Sequence, residues 1–238
     1  MIGNAGTTIG VLYKGSIIHQ ASFGCRDVES KTPADNNTIY HIGSMTKALV
    51  AASFAILVDE GKVAWDTPLH ELVPEFRQDN ENIHLTELKS QANIIDLLSH
   101  QLGLTARNGY WLQKEQELTS DAKETANIVG LLQPVTGFRS NMAYCNWGYA
   151  LAGVVLERLS GQSLDDFTTT YLFSPLGLAN TNMAEPLSEN LVSSYMALSN
   201  ATPFKVPPPP LTDGKVLSAA RAGKSIINDL LVLYKLLL

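Results

Sequence analysis

The chain has 238 residues, of which 45% are hydrophobic and 17% are charged, and its formal net charge is -6. This is the composition of an ordinary globular protein, and it excludes a disordered or a fibrous chain. The sequence contains no basic stretch, so it offers no electrostatic surface for nucleic acid, and we expect no nucleic-acid partner.

The N-terminal half begins with two short runs of β-forming residues, Thr7–Tyr13 and Ser16–Phe23. Their near-alternating Ile, Val and Tyr residues, with Lys14-Gly15 between them, predict a β-hairpin. The polar stretch Gly24–Asn37 is typical of a loop, and Thr38–Ile42 is predicted to be a short extended segment.

A long helix is predicted from Ser44 to Glu60, with Ser44 as its N-cap and Gly61 just past its end. Its interior is apolar nearly all round, which is typical of a helix packed on every side. Further helices are predicted at 93–101, where Ile94, Ile95, Leu97 and Leu98 should face inwards, and at 124–132, 149–159, 164–172 and 226–238.

The last quarter of the chain is rich in Pro, Ser and Thr, and it peaks in the four prolines of Pro207–Pro210. We interpret this segment as a loop or a polyproline stretch. No strand is predicted after the hairpin, and a lone hairpin is only marginally stable in water. The hairpin therefore lacks predicted partners, and the final helix lacks a C-terminal cap, so we expect a shortened version of a longer architecture.

The remaining sequence signals concern location and cofactors. The two cysteines, Cys25 and Cys145, lie far apart, so neither a disulfide framework nor a metal site is predicted. No signal peptide is visible, and the longest apolar stretch is shorter than the about 20 residues that a membrane helix needs. We therefore expect a cytoplasmic protein with no membrane partner, no metal and no cofactor.

The residues that could carry chemistry begin with Ser44 and Lys47. A Ser-x-x-Lys spacing places both side chains on one helix face, where the helix start favours negative charge. Lys47 is almost the only ionisable residue in this apolar helix, so burial should lower its pKa. A neutral lysine beside a serine hydroxyl can activate it as a nucleophile.

The spacing alone leaves an alternative open, in which Ser44 only caps the helix and Lys47 extends to solvent. The chain also contains a second copy of the spacing, Ser120 and Lys123, in a polar segment. We interpret that copy as a serine and a lysine on a solvated surface.

Tyr144 and Asn146 form the only Tyr-x-Asn of the chain. A tyrosine aimed at the serine can transfer its proton if a nearby cation lowers the phenol pKa, and an asparagine amide can bind both lysine and substrate. The alternative is an aromatic core residue followed by a helix cap. His100 could act as the base of a triad, although a polar residue that closes a helix is the preferred interpretation. Gly-x-Ser-x-Gly, His-Glu-x-x-His and Gly-x-Gly-x-x-Gly motifs are missing.

Several runs resemble the β-lactamase-related serine hydrolase family, in the order of that family. They are Ile42–Lys47, Leu57–Val63, Asp66–Leu69, Ile95–Leu104, Tyr144–Tyr149, Gly161–Ser163 and Leu172–Leu178. The family includes class C β-lactamases, D-alanyl-D-alanine peptidases, esterases and acyltransferases of natural-product pathways, and the chain resembles its fungal members.

The resemblance implies an α+β fold of the β-lactamase/transpeptidase type, with an antiparallel sheet lobe and an all-helical lobe. On this basis residues 1–238 form a single domain, with a sheet lobe at about 1–43 and 225–238 and a helical lobe at about 44–200. Ser44 is then the acylated nucleophile, Lys47 its partner, Tyr144 the general base and acid, and Asn146 a substrate-binding amide.

The chain departs from the family pattern at both ends. Members have a helix before the first strand, and they carry a third motif, Lys-Thr-Gly or His-x-Gly, on a late strand that faces the serine. The letters of His41-Ile42-Gly43 match, but this run adjoins Ser44 and cannot also face it. We therefore expect a chain that is truncated at both ends.

The predicted function is a serine-dependent hydrolase or acyltransferase that acts on small-molecule ester, thioester, amide or lactam substrates through an acyl-enzyme on Ser44. The alternative is a truncated, non-catalytic remnant that lacks the third motif. In the family the late strand supplies one of two oxyanion donors, and loss of one donor typically costs about 100- to 1000-fold in rate.

Overall fold

A computed structural model provides the structure, which describes residues 4–77, 83–104, 120–184, 189–208 and 210–237. The predicted hairpin is confirmed: β1 (Gly6–Tyr13) pairs antiparallel with β2 (Ser16–Asp27). The turn between them contains Lys14 and Gly15, with φ values of 47° and 75°. Glycine adopts this left-handed conformation without steric cost, which explains the tight turn.

The predicted extended segment 38–42 is confirmed in part, because it contains β4 (Tyr40–His41). The predicted loop 24–37 also contains a short strand, β3 (Thr32–Pro33), which pairs with β2. The prediction that no strand follows the hairpin is wrong. Later strands are β5 (Tyr195–Ala197), β6 (Pro203–Lys205) and β7 (Lys224–Ser225). β5 pairs with β6, and β7 pairs with β4. Each has only two or three residues, too few to produce an alternating pattern.

The long predicted helix is confirmed as α1 (Thr46–Asp59), but it starts differently. A 3-10 turn, Gly43–Met45, precedes it, and Ser44 lies inside this turn. The predicted N-cap role of Ser44 is therefore wrong, because the backbone is already helical there. At the other end Gly61 has a φ of 68° and donates its N–H to the carbonyl of Val58, as a residue just past a helix should.

The other predicted helices are present with shifted ends. They are α4 (Ile94–Leu98), α5 (Thr125–Leu131), α6 (Asn146–Ser160), α7 (Leu164–Thr168), which continues as a π-helical turn at Thr169–Phe173, and α9 (Ile227–Leu237). Among the described residues, three α-helices lie outside the predicted ones: α2 (Leu69–Leu72), α3 (Ile83–Gln91) and α8 (Ser218–Arg221). Two of these have only four residues, whereas a helical pattern is recognised over a window of about 11 to 18 residues.

One inward-facing assignment in α4 is wrong. Ile94 and Leu97 are fully buried, but Ile95 is 51% exposed. The helix starts one residue later than predicted because Asn93 caps it, accepting the backbone N–H of Asp96 while the Asp96 carboxylate accepts that of Asn93. It ends early, at Leu98, and His100 has a φ of 61°, which is not helical. The capping box fixes the residue at which the helix starts. This short helix then buries Ile94 and Leu97 on one side and leaves Ile95 on the other.

The core lies where α1, α6 and α8 pack against one another. Trp147 of α6 and Phe54 of α1 are among the largest fully buried side chains. The small residues of α8 allow a close approach: a Cβ on Gly153 of α6 would lie 2.8 Å from that of Ala219. These contacts bring residues from three distant parts of the chain to the start of α1.

The prediction that the hairpin lacks partners is also wrong, because α9 packs on β1. A Cβ on Gly10 would lie 2.8 Å from Leu231 Cδ1 and 3.0 Å from Ile227 Cγ1, so the helix sits directly on the strand. A helix cover supplies the apolar burial that an isolated hairpin lacks. The division into two lobes at the stated boundaries stays a prediction. Within the described ranges, no helix has both the length and the apolarity to cross a bilayer.

Candidate active site

Ser44 and Lys47 lie one turn apart at the entry to α1, and the Lys47 Nζ atom is 3.3 Å from Ser44 Oγ. Lys47 is only 7% exposed. Its ammonium also donates to Asn146 Oδ1 at 2.7 Å and to the carbonyl oxygen of Ala220 at 3.0 Å. An ammonium has three N–H donors, so all of them have acceptors in this arrangement.

A hydroxyl network holds the start of α1 in place. Thr46 Oγ1 donates to the carbonyl of Gly43 at 2.6 Å and accepts the backbone N–H of Gly223 at 3.0 Å. Thr46 is fully buried, and a Cβ on Gly223 would lie 2.8 Å from its hydroxyl oxygen. The chain between α8 and β7 is therefore fixed against the turn that carries Ser44.

Tyr144 makes the second contact to the Ser44 hydroxyl. Its Oη atom lies 2.7 Å from Ser44 Oγ, the distance of a normal hydroxyl–hydroxyl hydrogen bond. The tyrosine is 44% exposed, which is incompatible with the alternative of a core aromatic residue. Ser44 Oγ thus contacts both a phenol and an amine, which come from different parts of the chain.

His100 supports this side of the site in a way that the sequence did not predict. Its Nδ1 atom accepts the backbone N–H of Cys145 at 3.2 Å, and its ring centroid lies 4.6 Å from that of Tyr144. His100 follows α4, as predicted for a residue that closes a helix, and it has a φ of 61°. The imidazole therefore contacts Tyr144 and the backbone of Cys145. In the portion of the chain that the structure describes, no hydrogen bond joins His100 to Ser44, so the geometry does not support His100 as the base of a triad.

Asn146 is the first residue of α6, yet it does not cap that helix. Its Oδ1 atom instead accepts the bond from Lys47, and the side chain is 6% exposed. The amide therefore joins the first turn of α6 to α1 through the lysine, so the helix-cap alternative for Asn146 is wrong.

Burial lowers the pKa of Lys47, because the low-dielectric interior disfavours the ammonium. Contact with Tyr144 acts in the opposite direction but does not cancel this effect. The alternative of a lysine that extends to solvent is wrong, since Lys47 is buried and fully hydrogen-bonded. The amine therefore loses its proton at a lower pH than a free lysine.

The pKa of Tyr144 is also lowered. Partial burial alone would raise it, but the hydrogen bonds to Lys47 and Ser44 and the charges of Lys47 and Arg221 outweigh burial. A phenol with a lowered pKa is a better proton acceptor at moderate pH than free tyrosine. The two groups that flank Ser44 Oγ are both tuned towards deprotonation.

Arg221, at the end of α8, is the functional candidate that sequence reasoning missed. Its positive charge lowers the pKa of both Lys47 and Tyr144. Nothing in the local sequence could indicate this role, because α8 reaches the site only through its packing on α1 and α6. His41, whose run matches the letters of the third motif, lies in β4, and both its ring nitrogens are buried without hydrogen-bond partners among the described residues.

Comparisons with known proteins give one family. Residues 2–238 match the family model described as Beta-lactamase. The unguisins hydrolase ungD' of Aspergillus campestris is 26% identical over 201 residues, which is 81% of this chain and 36% of the relative. The chain thus spans about a third of the length of that curated relative.

Two solved structures share the fold. A class C β-lactamase from Rhodobacter sphaeroides has a TM-score of 0.77 at 22% identity, over 98% of this chain and 60% of the other. EstCE1, described as a hydrolase with promiscuous acyltransferase activity, has a TM-score of 0.81 at 19% identity, over 96% of this chain and 66% of the other. The predicted α+β fold of the β-lactamase/transpeptidase type is confirmed.

Proposed function

The chain belongs to the β-lactamase family, and on that premise we propose that it is a serine hydrolase or acyltransferase that works through an acyl-enzyme on Ser44. One observation carries the proposal: Ser44 Oγ lies 2.7 Å from Tyr144 Oη and 3.3 Å from Lys47 Nζ. Both distances allow direct proton transfer or a hydrogen bond that supports it.

Acylation begins with Tyr144 as the phenolate, stabilised by the neighbouring Lys47 and Arg221 charges. As Ser44 Oγ attacks the acyl carbonyl, its proton moves to Tyr144 Oη, and a tetrahedral oxyanion forms. The backbone N–H of Ser44 lies in the first turn of a helix, where N–H groups lack intrahelical partners, so it can donate to that oxyanion.

The leaving group then departs with the proton from Tyr144, and the acyl group remains on Ser44. In the second half of the reaction Tyr144 accepts a proton from water or from another nucleophile as that molecule attacks the acyl carbon. When the bond between the acyl carbon and Ser44 Oγ breaks, Tyr144 returns the proton to Ser44 Oγ; water as the nucleophile gives hydrolysis, and another nucleophile gives acyl transfer. Lys47 holds Asn146 in place throughout, and the Asn146 amide is available to contact the substrate.

The substrate class follows from the chemistry and from the relatives. An activated serine attacks esters, thioesters, and amides or lactams by the same route. One relative is named a hydrolase of unguisins, and EstCE1 is described as both a hydrolase and an acyltransferase. We therefore assign this chain a small-molecule acyl substrate, with no cofactor in the reaction.

The direct test is covalent labelling. The protein is mixed with p-nitrophenyl acetate, and the intact mass is recorded together with peptide mapping. We expect one added acetyl group on Ser44, no adduct on Ser44→Ala, and an unchanged adduct on the control Ser120→Ala. A folded protein that acquires no adduct on Ser44 would favour the non-catalytic alternative instead.

A further inference from the structure

Arg221 carries a positive charge on α8, the helix that contacts the turn of Ser44. Among the residues that the structure describes, its guanidinium makes no hydrogen bond or ion pair, and its Nε atom is buried with no partner. The side chain is half-buried. A donor group that is removed from water and left unpaired costs free energy, so the unpaired Nε of Arg221 requires a physical explanation.

The other arginines show how unusual this is. Every other arginine whose side chain is described lies near a carboxylate: Arg139 is 2.8 Å from Asp96, Arg158 is 2.6 Å from Glu75, and Arg26 is 3.9 Å from Asp35. The protein also has an excess of acidic residues, with a net charge of -6. Acidic side chains are therefore available, yet within the described ranges none forms an ion pair with Arg221.

The position of Arg221 relates it to the nucleophile. The preceding residue, Ala220, accepts a hydrogen bond from Lys47 Nζ at 3.0 Å. The charge of Arg221 acts on both Lys47 and Tyr144, the two groups that flank Ser44 Oγ. Arg221 thus belongs to the helix, α8, that contacts the turn carrying Ser44, and its charge acts on the groups around the reacting hydroxyl.

We propose that Arg221 binds a carboxylate of the substrate, so that the protein favours acyl substrates that carry this negative charge. The proposal rests on the proposed function and specifies its substrate class. A guanidinium presents two parallel N–H groups that match the two oxygens of a carboxylate, and such charge-assisted pairs are strong. Binding would also supply the partner that Arg221 lacks.

The test compares pairs of esters that differ by one carboxylate. In the first pair the acyl group carries the carboxylate in mono-p-nitrophenyl glutarate and lacks it in p-nitrophenyl butyrate. In the second pair the leaving group carries the carboxylate in 3-acetoxybenzoate and lacks it in phenyl acetate. In at least one pair we expect Arg221→Gln to reduce the ratio of kcat/KM values, charged over neutral, by about 10- to 100-fold. The pair that responds identifies the side of the substrate that carries the carboxylate.

Two further variants serve as controls. Arg221→Lys keeps the charge but loses the planar fork, so it should retain part of the preference. Lys123→Gln removes one positive charge from an exposed position and should leave both ratios unchanged. Ratios that stay the same in Arg221→Gln for both pairs would overturn the proposal.

A binding measurement separates this inference from the proposed function. Glutarate is titrated calorimetrically into the Ser44→Ala protein and into the same protein with Arg221→Gln. We expect the second to bind at least about 10-fold more weakly. If the wild-type protein turns over no ester, the proposed function fails, and equal glutarate affinities of the two folded variants alone would refute the role of Arg221.

Discussion

The chain contains the Ser-x-x-Lys motif twice, at Ser44 and at Ser120, in two very different environments. Ser44 and Lys47 are joined by a 3.3 Å contact, and Lys47 is buried. In the second copy Lys123 is exposed, and within the described part of the chain no hydrogen bond joins it to Ser120. The interpretation of this copy as a solvated pair is only half right, because Ser120 Oγ is buried without a partner.

The difference teaches that the spacing brings a serine and a lysine together only when other segments hold the lysine. Lys47 is fixed by Asn146 from α6 and by the Ala220 carbonyl from α8. Near the second copy it is the intervening Asp121 that has a partner, Lys215 at 3.0 Å on the surface. An exposed ion pair such as Asp121–Lys215 contributes little to the free energy of unfolding. Variants of the two copies test this comparison.

The largest effect is expected from the two serines. Ser44→Ala should reduce kcat for p-nitrophenyl acetate by about 10⁴- to 10⁶-fold, because no other group can carry the acyl chain. Ser120→Ala should retain the wild-type kcat. Steady-state kinetics with both purified variants measure the contrast, and equal losses in the two would contradict it.

The second-largest effect is expected from the lysines of the two motifs, Lys47 and Lys123. Lys47→Met should lower kcat by about 10²- to 10⁴-fold, the usual contribution of a proton-transfer partner, while Lys123→Met should have no effect. Met matches the length of lysine, so thermal unfolding should show that the Lys47 variant remains folded. Near-normal turnover in Lys47→Met would remove this lysine from the mechanism.

A smaller effect is expected at His100, which acts on Tyr144 through the backbone of Cys145. Asn places an oxygen acceptor where Nδ1 lies and tolerates the positive φ of this position, whereas Leu does neither. His100→Asn should therefore keep most of the activity, and His100→Leu should lose about 10-fold or more, roughly the effect of one lost hydrogen bond. Equal losses, with equal unfolding temperatures, would argue against this positioning role.

The smallest effect concerns pH. The pKa values of Lys47 and Tyr144 are lowered, so kcat/KM should rise with pH and reach its plateau below the pH at which free tyrosine or lysine would lose a proton. Removing the cation in Arg221→Gln should raise both pKa values and move this rising limb to higher pH. Lys123→Gln should leave the limb in place. A limb that moves to lower pH in Arg221→Gln would have the wrong sign.

The sequence by itself determined the residues of the cluster and the long elements that carry them. Ser44 and Lys47 are related by local helix geometry, which a three-residue spacing encodes, and α1, α6 and α9 have enough turns for an apolar pattern to emerge. The Tyr-x-Asn pair is visible in the sequence as a short motif at the start of the apolar helix α6. The catalytic roles of these residues stay predictions until the variants are measured.

Only the tertiary structure decided how these parts meet. It placed Tyr144 against Ser44, turned Ile95 outwards, formed β5–β7 from runs of two or three residues, and brought Arg221 and His100 to the site. Such contacts join residues that are far apart in the chain, and their energy depends on the packing of α8 against α1 and α6 and of α9 on β1. A local pattern reports which face of an element is apolar, but the partner of that face is fixed only when the whole core is packed.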